Sequence, residues 1–255
     1  MSNPWGPAPQ GPQRQGPSPR TVAWIIAGLA VVVVLVRTHH ISTLSIMFIG
    51  ALIPSVILHE VSHGAVAQVF GDDTAKRAGR LTLNPIKHID PFGTIILPVL
   101  LALSGHGVIG WAKPVPVNVS QLRDARNTGV LVSLVGPAVN IALAIILGIA
   151  YRLLSTPYER LGLKYQVLLG PTWLEFIFVA GLVNIYLAAF NLIPLPPLDG
   201  SAVVERLLPA RLLPDYYRIR PYTLILPLLL VVFYPQGFDR LFGWAFDVFA
   251  RPLGG

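Results

Sequence analysis

The run His59-Glu60-Val61-Ser62-His63 places two imidazoles and a carboxylate within five consecutive residues. On a helix, positions four apart lie one turn apart on one face, so both imidazoles can reach a single ion. Imidazole pairs suit Zn²⁺, and in this HExxH pattern Glu60 would lie beside the ion as a general base. A catalytic zinc wants a third protein ligand and one open position. The chain has no cysteine, so the ligand set must be built from histidines and carboxylates. The candidates for the third place are Asp90, Glu175, Asp199 and Glu205. Asp199 is the best placed of them. It follows Asn191-Leu-Ile-Pro-Leu-Pro-Pro-Leu, where Pro194, Pro196 and Pro197 cannot sustain a helix and the chain must unwind or extend. Gly200, next to it, permits a tight turn or a close approach.

The elements that must position these groups are apolar. Of 255 residues, 53% are apolar and only 12% charged, about half the charge content of an ordinary soluble domain. That balance excludes a water-soluble α/β enzyme, a disordered chain and a collagen-like one, and leaves a polytopic membrane protein. The net charge of +7 fits Lys and Arg gathered in cytoplasmic loops, not nucleic-acid binding. HEVSH falls inside an apolar segment at 41–70, where ionisable groups are costly and mark a functional site. The unwound stretch before Asp199 is tolerated at membrane depth only if it is buried in protein or lines a wet cavity. Further apolar segments lie at 21–36, 129–154, 173–198 and 222–234. The segment at 91–103 is about thirteen residues long and holds Pro98; it is too short to cross comfortably and reads as re-entrant or interfacial. Arg80 to Leu83 alternates weakly, as a short strand would. The expected fold class is an all-α polytopic membrane protein with about five to six transmembrane helices. A re-entrant or short β segment would stand between the HExxH helix and the next span.

HEVSH, together with GRLTLNPIKHIDPFG, GWAKPVPVN, GPAVN (136–140) and FNLIPLPPLDG (190–200), resembles the site-2 protease family of intramembrane zinc metalloproteases. The resemblance covers roughly residues 45–205 and is closest to minimal members without a PDZ or CBS domain. It implies His59, His63 and Asp199 as ligands of one Zn²⁺ per chain and Glu60 as catalytic base. It also implies Asn191 as a polar group near the substrate backbone or oxyanion. The implied activity is hydrolysis of peptide bonds in or near transmembrane segments, as in regulated intramembrane proteolysis. The implied substrates are single-span membrane proteins of the anti-sigma-factor kind, and the implied setting is a bacterial cell membrane. On this reading residues 1–20 form a disordered Pro/Gly-rich cytoplasmic tail and 21–235 the transmembrane metalloprotease domain. Residues 236–255 form a C-terminal amphipathic helix or a short final span.

The zinc assignment requires the HExxH run and Asp199 to share one membrane depth. With the tail cytoplasmic, both fall at the cytoplasmic end only if 91–103 does not cross. That arrangement puts thirteen of the 19 Lys and Arg inside, against eleven for the crossing alternative. Other polar residues read as structural. His88 and Asp90 suit loop capping, Asn140 suits helix-to-helix hydrogen bonding, Glu175 and His39–His40 suit an interface, and Asp72 and Asp73 suit a solvated helix end. Two rival classes use the same residues differently. A transporter or ion pathway has no need of Glu60 as a base, and a catalytically silent scaffold tolerates loss of the histidines.

Overall fold

Three long helices carry the structure, and each owes its packing to a repeat of four residues. A computed structural model describes residues 43–90, 112–160, 172–220, 223 and 234–253. The tail, the 21–36 and 91–103 segments, and all but two residues of 222–234 lie outside the described residues. Helix α1 is Thr43–Val69, α2 is Ala125–Arg160 and α3 is Thr172–Asn191. Among the described residues these three are long and apolar enough to cross a membrane, α2 through its Ala125–Ser155 portion. At about 1.5 Å per residue even α3 reaches the thickness of a hydrocarbon core.

In α1 the buried positions include Met47, Ala51, Ser55, His59, His63 and Ala67, an unbroken i, i+4 row. In α2 the row is Thr128, Val132, Gly136, Asn140, Ala144 and Gly148. In α3, Ala180, Asn184 and Ala188 repeat the spacing. Such rows are the ridges that interlock when helices pack closely, and the small residues in them let the backbones approach. Each helix packs against the other two. The opposite faces stay apolar and exposed, with Leu44, Ile46, Ile53, Ile145, Ile149 and Phe176 among them, as suits a lipid solvent. Met47, Ala51, Val179, Ala180 and Val183 form one core cluster, backed by Leu147 and Leu187.

At the C-terminal end of α1 the chain is tied back on itself. The Arg123 N–H donates to Phe70 O, and the Lys113 N–H donates to His88 O. Arg80, buried, donates to the carbonyls of Lys113 and Pro114. The expected strand at Arg80 to Leu83 does not form. The Arg80 N–H is already used on Ala75 O, and Asn84 caps a 3-10 turn at Pro85–His88 through the Ile86 N–H, so the backbone is satisfied locally. Asp72 is not at a solvated helix end either. It is fully buried and accepts hydrogen bonds from the N–H groups of Thr74 and Asn118.

After α3 come short helices α4, Ser201–Leu207, and α5, Leu213–Ile219. The C-terminal helix α6, Pro235–Ala250, packs on α3. Its Phe249 ring lies against Gly181 and Gly148 and 5.5 Å from the Phe178 ring.

Candidate metal centre

The HExxH run sits one and a half turns before the end of α1, with His59 and His63 both on its buried row. Asp199 reaches them because the prolines end α3. Beyond Asn191 the chain makes a series of tight turns through Pro194, Pro196 and Pro197, and the Gly200 N–H returns to Asn191 O at 2.7 Å. Only glycine allows that return, since a Cβ at Gly200 would lie 2.6 Å from Ile193 O and closer still to Leu192 O. The turn swings Asp199 over α1. Its Oδ2 lies 3.0 Å from His59 Nε2 and 3.5 Å from His63 Nε2. One ligand atom from each of the three lies within 4.8 Å of the others, and among the described residues this is the cluster of metal-ligating groups that forms.

The far nitrogens of the imidazoles are fixed. His63 Nδ1 is 2.6 Å from Val132 O, a carbonyl that can only accept, so Nδ1 carries the proton. His59 Nδ1 is 2.6 Å from Asn140 Oδ1, with the same consequence. With the rings neutral, both Nε2 lone pairs therefore face Asp199, whose buried Oδ2 has no hydrogen-bond partner. Three electron-pair donors converging without a proton donor among them are mutually repulsive unless a cation stands between them. Gly136 of α2 makes room for that place. A Cβ there would lie 2.5 Å from His63 Nε2 and 2.6 Å from His59 Cε1. The residues present fit a divalent cation of the zinc type.

Glu60 lies beside this cluster, half-buried, with Oε2 accepting the Val115 N–H at 2.7 Å. Gly64 permits the contact, because a Cβ there would lie 2.8 Å from the Val115 side chain and 2.7 Å from that of Leu81. Asn191 is half-buried, and its amide nitrogen donates to Leu187 O in its own helix. The other carboxylates considered for the third position are elsewhere. Glu205 pairs with Arg220 at 3.2 Å, and Glu175 sits in the first turn of α3. His88 closes a turn through Nε2 to Thr82 O. Asn140 does bridge helices, and in doing so meets His59. Ser55 and Asn184, which stand behind Asn140, were not singled out from sequence. The one signal for Ser55 was its spacing of four residues before His59.

Apolar helices closing on two buried histidines and a half-buried aspartate, with a neighbouring glutamate, define a membrane-embedded metallopeptidase. The Peptidase family M50 model matches residues 160–233. "Putative zinc metalloprotease YwhC" of Bacillus subtilis (strain 168) is 42% identical over 181 residues, covering 71% of this chain and 78% of that protein. "Putative zinc metalloprotease Rip2" of Mycolicibacterium smegmatis is 32% identical over 209 residues, covering 79% and 73%. Its namesake in Mycobacterium tuberculosis (strain H37Rv) is 38% identical over 161 residues, covering 63% and 56%. No solved structure matches. The chain belongs to peptidase family M50, the site-2 proteases, and is an integral membrane protein.

Proposed function

We propose that this protein is an intramembrane zinc metalloendopeptidase that hydrolyses peptide bonds in or near the transmembrane segments of single-span membrane proteins. His59, His63 and Asp199 are the zinc ligands, Glu60 is the base, and Asn191 lies along the substrate backbone. Zinc is the cofactor that the metalloprotease relatives imply. The observation that carries the site assignment is the convergence of two Nε2 lone pairs on the unpartnered Asp199 Oδ2. These three side chains would hold the zinc, which would supply Lewis-acid chemistry toward water and the scissile carbonyl when bound. Glu60 takes the proton from the attacking water and returns it to the leaving nitrogen. The hydrogen bond from Val115 keeps that carboxylate in one orientation. A transmembrane helix has its carbonyls occupied, so the substrate must unwind before attack, and Asn191 is available to pair with the exposed strand.

Two facts support a site toward the cytoplasmic side. The chain leaves and re-enters the described region at one end of the bundle, joined there by the bond between His88 and Lys113. Basic residues gather at the same end, where Arg77 bonds to Gln121 and Arg126 to the carbonyls of Arg206 and Leu208. The test is cleavage of a model transmembrane substrate by wild type and by Glu60→Gln, with zinc analysis of both. The expected result is one zinc per chain in each and a loss of cleavage of at least about 100-fold in Glu60→Gln. Full cleavage by Glu60→Gln, or a wild type devoid of zinc, would overturn the proposal.

A further inference from the structure

We propose that Asn184 and Ser55 act with Asn140 as a positioning relay that sets the tautomer and ring orientation of His59 for the metal. The inference rests on His59 being a ligand. Every polarity along the relay is forced by its ends. Ser55 has one hydroxyl proton, and it goes to Ala51 O at 2.7 Å, so Ser55 Oγ can only accept from Asn184 Nδ2 at 2.9 Å. The second hydrogen on Asn184 Nδ2 goes to Ala180 O, also at 2.9 Å. The atom Asn184 turns toward Asn140 is therefore Oδ1, which accepts from Asn140 Nδ2 at 2.8 Å. That leaves Asn140 Oδ1 facing His59 Nδ1, and the imidazole must carry its proton there.

All four side chains are buried, with Asn140 at 0% and Asn184 at 2% exposure, so water does not substitute for a missing partner. Turning either amide over would set donor against donor or acceptor against acceptor. The relay joins α1, α2 and α3, so the aim of one ligand depends on how all three helices meet. His63 has no such arm, because its Nδ1 rests on a backbone carbonyl.

The test measures zinc affinity of the full chain in detergent by chelator competition, and the visible absorption of the cobalt-substituted protein. Asn184→Leu is expected to bind zinc about 10-fold or more weakly and to shift the cobalt bands, although residue 184 is no ligand. Adding Asn140→Asp to Asn184→Leu is expected to restore affinity to within about 3-fold, since a carboxylate accepts the His59 proton whichever way it turns. A role confined to packing would not be rescued by a change at 140. Unchanged affinity and spectrum in Asn184→Leu, or no rescue, would overturn the relay. Should Asn184→Leu fail to fold, Asn140→Leu decides: it is expected to weaken zinc binding and shift the cobalt bands, and unchanged affinity and spectrum refute the relay. Undiminished zinc in His59→Ala would instead overturn the ligand assignment on which the relay rests.

Discussion

Each imidazole of the centre is held from behind by a hydrogen bond of 2.6 Å, one to a side-chain amide and one to a carbonyl, so neither ring can retreat. Gly136 presses its Cα side against both rings. A methyl group at that position would lie 2.5 Å from His63 Nε2 and 2.7 Å from His59 Nε2, the atoms that would face a bound metal, and the rings cannot move aside without breaking their Nδ1 bonds. Gly136→Ala is therefore expected to lose most of its zinc while its fold is destabilised by only about 1–3 kcal/mol, the usual cost of overpacking. Zinc analysis and thermal unfolding of the same preparation check both halves. A variant holding one zinc per chain would show that the rings yield. Gly136 was legible only as part of a GPAVN run; that its missing side chain matters came from the helix opposite.

At the level of elements, one carboxylate, Asp72, ties the turn after α1 to the segment at Asn118. Burial raises the pKa of Asp72, but the hydrogen bonds it accepts from Thr74 and Asn118 outweigh burial and hold it below the ordinary 3.8. The unfolded chain then binds the proton more readily than the folded one. Stability from Asp72 is fully present above about pH 4 and is lost as pH falls through the lowered folded-state value. Asp72→Ala leaves two N–H groups without their acceptor, and about 2 kcal/mol of destabilisation is expected near neutral pH. Its unfolding temperature should also fall less steeply than that of wild type on acidification below about pH 4. Parallel acid limbs for the two proteins would remove Asp72 from this role. Two adjacent aspartates after a helix suit solvent, whereas the partner of Asp72 at Asn118 lies 46 residues away and leaves no local trace. The Arg80 to Leu83 strand failed for a similar reason, since weak alternation competes poorly with the bond from the Arg80 N–H to Ala75 O and the Asn84-capped turn, which satisfy the same backbone.

For the whole molecule, the centre demands that the C-terminal ends of α1 and α3 share one side of the membrane, with α2 running between them. The absence of cysteine makes this directly testable. Lys76→Cys and Arg211→Cys, both exposed positions at that end, are expected to react with an impermeant maleimide from the same side, the cytoplasmic one. Labelling from opposite sides would separate the histidines from Asp199 and dismantle the site. Much of this was already written in one dimension. A four-residue spacing puts two histidines on one face wherever a helix forms, three prolines must break the helix before Asp199, and scarce charge requires an apolar solvent; these are local constraints on backbone and composition. Which groups stand behind the two histidines was decided by tertiary packing alone. Asn140 meets His59 across 81 residues, and Ser55 meets Asn184 across 129, and nothing in either neighbourhood encodes the pairing. Such contacts exist only because three rows of small and polar residues interlock, and hydrogen bonds in a buried junction must then be completed by whatever the facing helix presents.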